Sequence, residues 1–171
     1  MKIEELRALQ APLKEHYKEN PNSALIPAKA EAILDREEVA CRVSTYAGTA
    51  VAGLHISAGG DGRKACSADM LMESIAACAG VTLNAVATAM RIPLEHAKVV
   101  AEGVWDVRGT LGIDRSVPVG LKEVTITFEI QSSVDKKKLD KLVELTERYC
   151  VIFQTLVSPP ELKRRVIANG G

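Results

Sequence analysis

The sequence has no excess of charge of either sign. Its 171 residues include 22 Lys plus Arg and 22 Asp plus Glu, so the formal net charge is zero. Because attraction to nucleic acid or to an anionic membrane depends on a basic surface, we expect neither partner. Two short basic runs, at 135–141 and 162–165, are interleaved with apolar residues at structural spacing. Each is therefore expected to form a solvated face.

The sequence also has no long apolar run. The longest uncharged stretch, 74–90, contains Ser, Asn, Gly and two Thr residues. It is short and polar for a membrane span and suits a buried helix of a soluble domain. The opening segment "MKIEELRALQ" has acidic residues at once and no apolar core of a secretory signal. We therefore expect a cytoplasmic protein.

No two cysteines have the close spacing of a zinc knuckle, and the three His residues form no helical metal pair. The glycine-rich segment "AGGDGRKA" lacks the ending of a phosphate-binding loop. We therefore expect neither a metal nor a bound cofactor. In a reducing cytosol a durable disulfide framework is also unexpected, so catalytic or merely buried thiols are favoured. The four cysteines are Cys41, Cys66, Cys78 and Cys150.

Hydrophobic periodicity predicts an α+β protein, because the order of elements lacks the regular alternation of a parallel sheet. Pro12 lies inside the first helix and is expected to kink or divide it. We expect a helical extension at 1–28 and an α+β domain at 29–171. Helices are predicted at 2–19, 67–90 and 134–150, and strands at 29–34, 38–46, 50–57, 96–109, 121–131 and 161–168.

Two of the cysteines lie on predicted inward helical faces. Cys78 is in the middle of the uncharged helix, and Cys150 follows Leu139 and Val143 by eleven and seven residues on the second helix, which Asp135 is expected to cap. The positions differ by 72 residues (150 − 78), so spacing alone does not bring the thiols together. A buried structural cysteine is the ordinary interpretation of each; a redox pair is the other.

Four segments resemble the OsmC/Ohr family, the osmotically inducible protein C and organic hydroperoxide resistance proteins. They are "SADMLMESIAACAG", "AEGVWDVRGTLG", "PVGLKEVTITFEIQ" and "LVELTERYCVIFQTL". The resemblance extends roughly from Lys29 to Val166 and is nearer to the OsmC-like branch than to Ohr proper. It implies a curved antiparallel sheet packed on two long central helices, in an intertwined homodimer with its sites near the subunit interface.

The resemblance further implies a thiol peroxidase. Cys78 would attack a hydroperoxide and become a sulfenic acid, and Cys150 would condense with it to a disulfide that a dithiol reductant of the lipoyl or thioredoxin type reopens. A positive partner is needed to favour the thiolate. In the family this is an arginine after the first strand; Arg36 occupies the comparable place, with Arg42 and Arg63 as alternatives.

The sequence departs from the family pattern at three positions. Ala68, with Asp69 beside it, stands where the Ohr branch has an acid, and Ser67 and Val151 each replace a proline. An alternative function is therefore kept: a non-enzymatic OsmC-like dimer that binds a small apolar ligand. Cys41 is expected in a strand core, and Cys66 is expected to be an incidental loop thiol or a spare resolving thiol.

Overall fold

The computed structural model describes residues 1–168; the last three residues of the predicted 29–171 domain lie outside this range. The chain forms five α-helices and five strands, with short 3₁₀ turns at Pro21–Ala24 and Ile56–Ala58. The predicted α+β class is confirmed. The helices are α1 (Ile3–Glu19), α2 (Ser67–Met90), α3 (Val107–Thr110), α4 (Lys136–Tyr149) and α5 (Val151–Val157), and the strands are β1 (Ala32–Leu34), β2 (Ala40–Thr45), β3 (Gly48–Gly53), β4 (His96–Trp105) and β5 (Leu121–Gln131).

The core lies between α2, α4 and the antiparallel pair of β4 and β5. On β5, Val124, Ile126, Phe128 and Ile130 are half-buried and alternate with exposed polar residues, as their period-2 pattern predicts. Leu83 of α2 and Leu142 of α4 are almost fully buried in the same cluster. The Asp135 carboxylate accepts the Lys138 backbone N–H and caps α4, which confirms the predicted start of this helix.

The strands β1, β2 and β3 form a separate antiparallel sheet, which we call the arm. Ala52 of the arm pairs with Ala65, and Lys64 bonds Glu38 at 2.6 Å, so the segment before α2 holds the arm. Within residues 1–168, the arm strands make no extended packing with the helices or with β4 and β5. One face of the arm is therefore only partly covered within its own chain: Leu34 is exposed, whereas Ala52 is buried. Cross-strand partners place on this face Ala32, Leu34, Cys41, Val43, Ala50 and Ala52.

Four predicted elements differ from the structure. The strand predicted at 96–109 ends at Trp105, and Val107–Thr110 form the short helix α3, which Asp106 caps by accepting the Arg108 backbone N–H. Residues 161–168 form no strand, because a strand needs a hydrogen-bonded neighbour and this segment has none among the described residues; Leu162, Val166 and Ile167 remain exposed. The strand predicted at 50–57 ends at Gly53, and a 3₁₀ turn begins three residues later at Ile56. The helix α1 continues through Pro12 as one helix.

Candidate active site

Cys78 and Cys150 meet where α2 passes the junction of α4 and α5. The sequence predicted that Cys150 ends the helix at 134–150, but in the structure it lies between two helices. It follows Tyr149, the last residue of α4, and directly precedes α5. Its side chain is only 1% exposed, whereas Cys78 is half-buried. Both thiols are free, and a hydrogen bond joins them. The tertiary fold thus brings together two residues that sequence spacing could not pair.

The surroundings of Cys78 favour its thiolate. Burial raises the pKa of the Cys78 thiol, but hydrogen bonds outweigh this effect and place the net pKa below its ordinary value. The backbone N–H of Ile152, the Cys150 thiol and the backbone N–H of Val151 all donate to Cys78. The hydroxyl of Thr82, one helical turn after Cys78, also lowers the pKa. Donors to a charged sulfur stabilise it over the neutral thiol.

Cys150 has the opposite tendency. Burial raises the pKa of the Cys150 thiol, and its hydrogen bond and charge interaction with Cys78 raise it further, against the lowering effect of the Phe153 and Ile152 backbone groups. Of the two thiols, Cys78 therefore ionises more readily, and Cys150 keeps its proton to a higher pH. This asymmetry gives the two thiols distinct chemical roles.

None of the candidate arginines is among the strongest influences on Cys78. Arg36 lies exposed in the turn between β1 and β2, on the arm. In the same turn, Asp35 accepts the backbone N–H groups of Glu37 and Glu38 and pairs with Arg42 at 3.3 Å. Arg63 is exposed in the segment before α2. The role assigned to Arg36 stays a prediction.

Three groups at the site were missed by sequence reasoning: the hydroxyl of Thr82 and the backbone N–H groups of Val151 and Ile152. Thr82 had a detectable signal, because a hydroxyl four residues after a helical cysteine shares its face. No sequence signal indicated the backbone N–H of Val151, because its position depends on the path of the backbone between α4 and α5. At this position the family pattern has proline, which lacks an N–H, so Val151 adds a donor to the thiolate that proline would not provide.

The other sequence candidates lie apart from the two thiols. Asp69 is exposed and lines a groove between α2 and β4. Cys41 is half-buried on β2, and Cys66 is half-buried directly before α2. Within residues 1–168, no group of three or more His, Cys, Asp or Glu residues is arranged to hold a metal ion. Of the four cysteines, Cys78 and Cys150 are therefore the two that the structure places beside each other.

Comparison with known proteins assigns the family. The family described as OsmC-like protein matches residues 60–164, which is more than half of the chain. The chain belongs to this family. No curated protein sequence matches it significantly.

Solved structures show the same fold. An OsmC-like protein from Mycoplasma pneumoniae has a TM-score of 0.64 at 17% identity, over 78% of this chain and 89% of that one. An organic hydroperoxide resistance protein from Elizabethkingia anophelis has a TM-score of 0.64 at 18% identity, over 80% of this chain and 91% of that one. A hypothetical protein from Aquifex aeolicus VF5 has a TM-score of 0.60 at 21% identity, over 81% and 93%.

One described helix, α2, is long and apolar enough to be compatible with a membrane span by length and composition, and only 22% of its most apolar window is buried. The same helix carries Cys78 and packs on α4, α5 and β4. Packing within the described chain thus covers only part of the apolar surface of α2.

Proposed function

We propose that this protein is a cysteine-dependent peroxidase of the OsmC/Ohr type that acts on organic hydroperoxides or hydrogen peroxide. The observation that carries the proposal is the contact of Cys78 with Cys150 and the opposite direction of their pKa shifts. Membership of the OsmC-like family and the fold shared with a protein named for organic hydroperoxide resistance support a hydroperoxide substrate.

The reaction uses both sulfurs. The Cys78 thiolate attacks the O–O bond of ROOH; that bond breaks, an S–O bond forms, and the alkoxide leaves and takes a proton as ROH. Cys78 is now a sulfenic acid, and the Cys150 sulfur displaces its hydroxyl as water while an S–S bond forms. A dithiol of the lipoyl or thioredoxin type then reduces the disulfide and is itself oxidised to a disulfide. We assign this cycle to the cytosol, where such dithiols are kept reduced.

We further propose that the working unit is a homodimer in which the arms are exchanged. The chain exposes 13299 Å², whereas a compact monomer of this length is expected to expose roughly 8,000 Å². The arm face that carries Leu34, which is 77% exposed, and the largely uncovered α2 are two apolar surfaces that a second copy would bury. The arm also carries Arg36, so the exchange would bring Arg36 of the partner subunit to Cys78.

Thiol counting tests the peroxidase. Stoichiometric hydroperoxide should remove two thiols per chain from the wild type, and a dithiol should restore both. In Cys150→Ser, Cys78 should remain as a sulfenic acid that a dimedone probe traps. Cys41→Ser and Cys66→Ser are matched controls and should still lose two thiols. If Cys78→Ser also loses two thiols per chain to stoichiometric hydroperoxide, the proposed pair is wrong.

Light scattering tests the dimer. The protein should be a dimer at low micromolar concentration, and a stable monomer under those conditions would contradict the exchanged arms. Peroxide consumption measured separately with dihydrolipoamide and with thioredoxin would identify the class of reductant.

A further inference from the structure

A cavity lies apart from the cysteine pair. It has a volume of about 780 Å³, is open to solvent on one side, and is bordered by the end of β3, the start of α2, the facing ends of β4 and β5, and Leu156 of α5. Neither Cys78, Cys150 nor Arg36 lines it. Its volume is in the range of pockets that hold a small organic molecule. The walls are mainly apolar and include Leu54, Leu71, Trp105, Leu121, Val124 and Leu156.

The polar groups of this cavity collect at one end. Cys66, Ser67 and Ala68 line it there and form the beginning of α2, a helix of 24 residues. Cys66, at the N-cap position, makes no side-chain capping bond, so the first N–H groups of α2 have no side-chain acceptor from their cap. Among residues 1–168, no Lys, Arg, Asp or Glu lines the cavity. The positive end of a long helix thus faces an otherwise uncharged space.

His55 adds a second donor at the cavity, independently of the helix. The Ser57 backbone N–H donates to Nδ1 of His55 at 3.1 Å, which leaves the ring proton on Nε2. The imidazole also meets the Trp105 ring edge-to-face, with 5.2 Å between ring centroids. The ring is therefore held in position, and Nε2 makes no hydrogen bond among residues 1–168.

We propose that this cavity binds a small amphiphile with one carboxylate head and an unbranched apolar chain. The head accepts hydrogen bonds from His55 Nε2 and from the Ser67 end of α2, and the chain lies along Leu71 and Leu156. A carboxylate fits better than a cationic head, because the groups that line the polar end are donors at a helix N-terminus, whereas Asp69 of the same turn lines the groove between α2 and β4 instead. The site is additional to the thiol chemistry and does not depend on Cys78.

The chain contains its own reporter for this site. Trp105 is the only tryptophan and lines the cavity. A bromine atom near an indole quenches its fluorescence, so 10-bromodecanoate is a suitable probe and 10-bromodecanol is its matched uncharged control. We expect saturable quenching by the carboxylate, with the alcohol about tenfold weaker, which corresponds to roughly 1.4 kcal/mol for hydrogen bonds to a charged group.

Three variants complete the test. His55→Asn keeps an acceptor for the Ser57 N–H but removes the Nε2 donor, so it should weaken the carboxylate and leave the alcohol unchanged. Ala58→Leu fills part of the cavity and should weaken both probes. Cys78→Ser should bind as the wild type does, whatever the outcome of the peroxidase assay.

Several results would overturn the proposal. One is the absence of saturable quenching in protein that circular dichroism shows to be folded. Another is quenching that Ala58→Leu does not change. Equal affinity for the acid and the alcohol would refute the carboxylate head.

Discussion

Cys78 and Cys150 lie close enough for each thiol to shift the pKa of the other, and the two pKa values shift in opposite directions. Before any oxidant binds, Cys78 is therefore favoured as the nucleophile, and Cys150 keeps its proton to a higher pH. Because Cys150 is buried and Cys78 is half-buried, an oxidant from solvent reaches Cys78 first. The order of events in the proposed cycle follows from this difference in exposure and ionisation.

The first prediction concerns the pH dependence of Cys78 alkylation. Since its pKa in the folded protein is lowered, its reaction with iodoacetamide should reach a plateau at a lower pH than in the denatured chain. The lowered pKa of Cys78 stabilises the fold above the unfolded pKa, and this contribution is lost as pH falls through the folded pKa. The raised pKa of Cys150 contributes below the unfolded pKa and is lost as pH rises through the folded one. Because the two contributions oppose each other, alkylation is the clearer measurement. Identical profiles in folded and denatured protein would contradict the assigned environment.

The second prediction is that Val151→Pro slows Cys78 alkylation at neutral pH. Proline removes one N–H donor to the sulfur, and each unit by which the pKa rises lowers the thiolate fraction about tenfold at a pH well below it. The fold should persist, because proline is favoured in the first position of a helix. Cys150 before it is extended, with φ −76° and ψ 111°, as a residue before proline must be. Val151→Ala retains the N–H and is the control; equal slowing in both variants would point to packing instead.

The third prediction is that Arg36→Ala slows both alkylation and peroxide consumption, whereas Arg42→Ala and Arg63→Ala do not. Arg36 is expected to act across the dimer because it lies on the arm. Mixed dimers of Cys78→Ser and Arg36→Ala chains should then regain activity, since one of the two sites has both native residues. Absence of recovery, with heterodimers shown to form, would place Arg36 in the same chain as its cysteine. Slowing by Arg42→Ala or Arg63→Ala instead would move the assignment to that arginine.

The fourth prediction concerns the core. Leu142 is 0% exposed and packs with Leu83, so Leu142→Ala should lower the free energy of unfolding by about 2–5 kcal/mol. Lys137→Ala, on the exposed first turn of the same helix, should change it by less than about 0.5 kcal/mol. Chemical denaturation measured at one fixed protein concentration compares the two variants. A similar loss in both would show that helix α4 itself, and not its packing, limits stability.

The fold was predictable where local patterns are strong. The alternating residues of β5 and the cap and apolar face of α4 specify their elements with little help from distant residues. The prediction of a final strand at 161–168 was wrong, because a strand forms only with a hydrogen-bonded neighbour and the local sequence pattern does not show whether one is present. Pro12 was expected to kink or divide the first helix, but α1 runs through it as one helix from Ile3 to Glu19.

The candidate site was only partly predictable. The family resemblance selected Cys78 and Cys150, but their contact depends on how α2 crosses the start of α5, a long-range relationship absent from residue spacing. The N–H groups of Val151 and Ile152 belong to every residue except proline, so no residue type indicates them. Only the backbone path after Tyr149 shows that they are directed at a sulfur.

The uncovered arm also bears on how the protein is made. Within residues 1–168 its apolar face is only partly covered, and the outer edge of β1 has no paired strand, so a newly synthesised subunit is most at risk of aggregation before it meets another. If arms are exchanged, the last step of folding is bimolecular, and the melting temperature rises with protein concentration. The expression level would then determine the fraction of chains that form dimers, and dilution alone would return the dimers to the aggregation-prone monomer.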